Sequence, residues 1–116
     1  MSAKSLACGA VFLAVILLTF GTTARAAEPG LVTKWLSTAM KIDECVRTAE
    51  RALRAAQFAR VDIKGDSDTD KNAFANRGNY VASVNCIEEK GVAYFVVAGP
   101  DVDAAERYVN AIMDKF

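Results

Sequence analysis

Asp66-Ser67-Asp68-Thr69-Asp70 sets three carboxylates at alternate positions of one short string. Hard oxygen ligands spaced this way hold Ca²⁺ when further ligands follow at fixed distances. Here the sixth position of such a loop is Lys71, where glycine is needed, and the twelfth is Arg77, where a bidentate glutamate belongs. Asp66, Asp68 and Asp70 are therefore the candidate metal ligands of the chain, set against the reading of a solvated acidic turn after Gly65. The expectation is no bound metal and no cofactor. A second string, Arg47, Arg51 and Arg54 with Lys41 and Arg60, has the charge to hold phosphate or anionic lipid. Asp43, Glu44 and Glu50 interleave with it, which is the pattern of a solvated helix face crossed by ion pairs.

Catalytic groups are sparse. The chain has no histidine, which removes the commonest general base and metal ligand and with them every Ser-His and Cys-His nucleophile. Tyr80, Tyr94, Tyr108 and the adjacent Glu88 and Glu89 remain, but no spacing pairs a nucleophile with a base. The 14 basic and 14 acidic residues balance, so a nucleic-acid partner held by a basic field is not expected.

The elements that position these residues begin after an export signal. Lys4, the uncharged stretch Leu6 to Phe20 and the A-x-A pattern Ala24-Arg25-Ala26 read as a secretory signal peptide over residues 1–26, cleaved after Ala26. The apolar stretch is shorter than the roughly 20 residues a membrane-spanning helix needs, so no stable membrane insertion is expected after cleavage. Removing Lys4 and Arg25 leaves 12 basic against 14 acidic groups in residues 27–116, which are expected to form a single domain. Of three cysteines, Cys8 leaves with the signal, and Cys45 and Cys86 remain as one pair with one connectivity in an oxidising compartment.

Ile42, Cys45, Val46, Ala49, Leu53 and Ala56 fall on one stripe of a helix predicted over Ile42 to Phe58, with Asp43 as its cap. Asp43 with Arg47 and Glu50 with Arg54 are i,i+4 pairs. Asn79 to Ile87 alternates, with Tyr80, Ala82, Val84 and Cys86 on one face, and Glu88 to Gly91 turns the chain into an apolar central strand, Val92 to Ala98. Cys86 on that inward face and Cys45 on the helix stripe meet if the helix packs on the sheet. Leu31 to Ala39 reads as a strand or as a backward extension of the helix. Ala59 to Lys64 and Asn72 to Asn76 are weaker strand segments, turning near Arg77-Gly78. After Gly99-Pro100 comes a closing helix capped by Asp101 or Asp103, with Asp103 and Glu106 at capping-box spacing. Its apolar face is Val102, Ala105, Val109, Ile112 and Phe116.

The expected fold is α+β, a two-layer sandwich with an antiparallel sheet of three to four strands and two helices packed on one face. Such a sheet leaves Val81, Ile87 and part of Val92 to Val97 on its other side, either covered by the segment around Trp35 or open as an interface.

The order Asp43-Glu44-Cys45, Ala49, Ala52-Leu53 and Phe58, then Tyr80-x-Ala-x-Val-x-Cys86 and Phe95-Val-Val-Ala-Gly-Pro100, resembles small exported bacterial α+β domains. Those domains carry one helix-to-strand disulfide and have no assigned function. The resemblance implies the fold and export and transfers no catalytic residue; a glycine would be expected before Phe58, where Gln57 stands. The expectation is an exported protein, periplasmic or secreted, that is not an enzyme. It acts as a binding or interaction module on a protein or small ligand, with homodimerisation through the uncovered sheet face as one form of that contact. The alternatives are an envelope enzyme using carboxylate or tyrosine chemistry and a calcium- or anion-binding module.

Overall fold

The computed structural model describes residues 28–116, Asp66 by its backbone alone. The signal segment 1–26 and Cys8 lie outside the described residues. Five strands and two long helices follow in the order β1 (Gly30–Ser37), α1 (Ile42–Ala55), β2 (Ala59–Ser67), β3 (Asp70–Arg77), β4 (Tyr80–Ile87), β5 (Val92–Gly99) and α2 (Val102–Lys115). The sheet is antiparallel throughout, in the order β1-β5-β4-β3-β2. The fold class is α+β as expected, but the sheet has five strands and not three to four. The extra length comes from two segments. Residues 30–37 form a full edge strand against β5, and the acidic string is drawn into the β2–β3 hairpin instead of standing apart as a loop.

Both helices lie on one face. Inward side chains of β3, β4 and β5 are small or aliphatic: Ala73, Ala75, Ala82, Val84, Ala93 and Val97 are buried, with Phe95 as the largest. Against them α1 sets Cys45, Ala49, Ala52 and Leu53, and α2 sets Ala105, Val109 and Ile112. Alanine on both sides of the α1 contact allows the backbones a close approach. Cys45 and Cys86 stand 6.2 Å apart between Cα atoms and are joined as a disulfide. Closing a loop of this length stabilises by roughly 4 kcal/mol in the chain-entropy account.

The ends of α1 differ from expectation. Lys41 is the N-cap residue and gives no side-chain cap. Asp43 lies inside the first turn, and its carboxylate accepts a hydrogen bond from Lys71 Nζ of β3 at 3.1 Å. Arg47 donates to the Asp43 backbone carbonyl and not to its carboxylate, whereas Arg54 pairs with Glu50 at 3.5 Å as the spacing indicates. The helix ends at Ala55, short of Phe58, because Gln57 takes a left-handed φ of 68°. The Gln57 N–H donates to the Arg54 carbonyl and the Phe58 N–H to that of Leu53. This is the arrangement a glycine normally makes, carried here by a residue with a Cβ. At α2, Asp101 accepts from the Asp103 N–H at 2.9 Å and is the cap. Glu106 forms no capping box; it turns to Lys34 of β1, 3.5 Å away.

Two substitutions test this account. Gln57→Gly relieves the left-handed strain and should stabilise by about 0.5–1 kcal/mol, read as a higher Tm, whereas Gln57→Val should lower it. Cys45→Ala with Cys86→Ala should cost about 4 kcal/mol and lower the Tm of this small domain by at least about 15 °C in thermal unfolding, matching reductant-treated wild type.

Candidate functional site

The face of the sheet away from the helices carries no covering element among the described residues. Its side chains form four rows that the strand register defines. Leu31, Ala98, Val81, Asn76 and Ala59 make the first row, and Thr33, Val96, Ser83, Phe74 and Asp62 the second. Trp35, Tyr94, Asn85, Asn72 and Lys64 make the third, and Ser37, Val92, Ile87, Asp70 and Ser67 the fourth. Leu31 is 68% exposed, Trp35 60%, Val81 51% and Phe74 37%. The segment around Trp35 does not fold over this face. It joins the same sheet as the edge strand, which adds its own apolar side chains to the open surface.

The groups that could do chemistry are dispersed. Asp68 sits in the β2–β3 turn, Asp66 within β2 and Asp70 at the start of β3. Ser67 and Thr69 hydroxyls bond each other at 3.3 Å, and Thr69 donates to Glu89. Among the described residues no group of three or more metal-ligating side chains gathers. In the arginine string, Arg47 bonds the Asp43 carbonyl, Arg51 the Thr48 hydroxyl and Arg54 Glu50. Lys41 pairs with Glu88 at 3.6 Å. Arg60 occupies a bulge, with φ at 56°, where β2 slips register against β3. These cations therefore do not converge on a common point.

The three tyrosines divide between the two faces. Tyr94 stands on the open face beside Trp35. Tyr80 and Tyr108 stack edge to face at 4.9 Å in the helix layer, and Tyr108 meets Phe58 at 5.7 Å. Arg77 crosses the Tyr108 ring at 4.6 Å and donates to the Ala56 carbonyl at 3.0 Å, so it closes the end of α1. Gly99 is required in this cluster, because a Cβ there would strike the Tyr80 ring. Tyr80 and Tyr108 thus fasten the two helices to the sheet. A depression beside the disulfide, lined by Thr38, Met40, Ile42, Cys45, Cys86 and Ile87, has no interior volume for a water molecule.

The residue pattern marks the open face through Val81, Ile87 and part of Val92 to Val97 but not through Asn72, Phe74 and Asn76. Their five-residue segment alternates weakly, and its outward residues are mostly polar.

Neither a family model nor a curated protein matches the chain. Among solved structures it is similar to the adenosylmethionine decarboxylase from Aquifex aeolicus VF5, with a TM-score of 0.54 and 15% identity over 78% of this chain and 82% of that one. Likeness at that identity concerns the fold alone.

Arg77 supplies the test of the structural role of this aromatic cluster. Arg77→Ala should cost about 1–2 kcal/mol in denaturant unfolding, and Arg77→Lys should recover less than half, since an ammonium lacks the flat fork that bonds Ala56 while stacking on Tyr108.

Proposed function

We propose that this chain is an exported, non-catalytic interaction module that presents its open sheet face to a protein partner. The observation that carries the reading is the composition of that face. On β1, β5 and β4 its paired positions hold no charged side chain, and Leu31, Trp35 and Val81 stand largely exposed. Monomeric proteins rarely leave a continuous apolar surface of that kind without a use for it. An antiparallel sheet that faces water alternates hydrophobic with polar; here Val92, Tyr94, Val96 and Ala98 oppose that rule along a whole strand.

Export is supported by the Cys45–Cys86 disulfide, which oxidising compartments favour, together with the signal pattern over residues 1–26. No helix of the described residues is long and apolar enough to cross a membrane.

A photoreactive residue placed at Thr33 on the open face should yield protein adducts in the producing cells, recovered from the envelope fraction. The same residue at Arg107, exposed on α2, should yield none. Equal labelling at the two positions, or adducts at Arg107 alone, would refute the assignment of the face.

A further inference from the structure

We infer that the open face is closed by a second copy of this chain, related by a two-fold axis that lies between the two sheets and runs across the strands. The inference rests on the reading of this face as an interface and supplies its occupant.

Three observations converge on that geometry. The first is the distribution of charge. On the open face the charged groups at paired positions are Asp70 of β3 and Asp62 and Lys64 of β2, all at one side of the sheet. An axis across the strands lays each strand on its own counterpart and inverts the order of the rows. The second row then lies over the third row of the other copy. Asp62 meets Lys64 of the second copy, and Lys64 meets its Asp62, while Thr33 and Val96 lie over Trp35 and Tyr94. The alternative axis, along the strands, would lay β1 over β2 and press Thr33 and Trp35 onto Asp62 and Lys64. It is rejected because Asp62 and Lys64, 3.8 Å apart within the chain, would lose water there without gaining any further partner.

The second observation concerns polar groups left over. Asn85 Oδ1 and Asp70 Oδ1 are shielded from solvent and accept no hydrogen bond. Buried acceptors of this kind are rare and call for a donor. In the inverted arrangement the Ser83 hydroxyl of the second copy comes to Asn85, on the central strand, and the Asn76 amide comes to Asp70. Both bonds require the acceptor side chains to turn toward the face, on which Asn85 and Asp70 are each half-buried. The rows bring Val81 over Ile87, and Ala98 over Val92, between these polar pairs.

The third is area. Five strands at about 4.8 Å spacing and eight residues at about 3.3 Å give roughly 600 Å² in projection, before side-chain relief is counted. Specific interfaces bury about 600–1,000 Å² per partner, so the face alone is large enough. Sheets packed this way lie about 10 Å apart with strands within about 30° of each other.

The test uses the oxidised protein, with mass read by light scattering and burial read at Trp35, the only tryptophan of the chain. The expected result is the mass of two chains at about 100 μM, well above a micromolar Kd. Trp35 emission should be blue-shifted there and move to the red on dilution. Val81→Arg and Ile87→Glu should each give the monomer mass and red emission, and Arg107→Glu should stay a dimer. The double variant, Val81→Arg with Ile87→Glu, should regain the dimer, because each new charge meets its opposite across the axis. A dimer that survives Val81→Arg, or a double variant that stays monomeric while correctly folded by circular dichroism, overturns the proposed packing. A wild-type monomer whose Thr33 photo-adduct holds a different protein overturns the second copy and spares the interface. A monomer with no adduct overturns both.

Discussion

The close seating of α1 on the sheet is the constraint from which the rest of the molecule follows. Alanines on the helix face alanines on the strands, so the layers approach near enough for Cys45 of α1 to bond Cys86 on the central strand. Small residues contribute little hydrophobic free energy each, and a core built from them is thin. The disulfide offsets that weakness in a domain large enough to fold alone but small enough to be helped by a covalent staple. The larger side chains, Leu53, Phe95, Val109 and Ile112, belong to this one buried core, and the Phe58, Tyr80 and Tyr108 rings pack together at its margin. With both helices committed to one side, nothing among the described residues covers the other side of the sheet.

The two edges of the sheet are unlike. β2 slips register twice against β3 and carries Arg60, Asp62 and Lys64, features that discourage another strand from adding to it. β1 runs in unbroken register with β5 along all eight of its residues. Its single charge, Lys34, points into the helix side and is held by Asn110 and Glu106 of α2. An inward lysine on an edge strand is a recognised deterrent to edge-to-edge pairing. The broad face, uncharged along β1, β5 and β4, is the surface on which no such deterrent is placed.

Much of this architecture was legible in the residue order. The alternation from Tyr80 to Cys86, the turn at Gly91 and the apolar stripe of α1 named the inner face correctly, and the two cysteines followed from them. What was not legible had physical causes. Residues 30–37 mix Val, Thr and Trp with Leu and Lys, so their strand state depends on pairing with β5, a contact distant in sequence. Asp43 has the side chain of a cap, but it lies inside the first turn, where Lys71, brought near by tertiary structure, takes its carboxylate. The stop at Gln57 breaks the expectation that glycine takes a positive φ; the Arg77 contacts to Ala56 and Gln57 hold that turn in place. The acidic string became part of a hairpin because its neighbours on both sides pair as strands, which leaves Asp68 in the turn and Asp70 at the start of β3.

The covalent bond between α1 and β4 also divides the chain by how it bears load. The segment between the two cysteines, 41 residue steps long, includes most of α1, all of β2 and β3 and most of β4, and it forms a closed ring. Tension applied at the two ends of the oxidised chain passes through the sulfurs and never reaches that ring. β1, β5 and α2 peel away while the ring keeps about 140 Å of chain in reserve. Reduction releases that length, so the oxidation state of the surroundings sets how far this molecule can be drawn out.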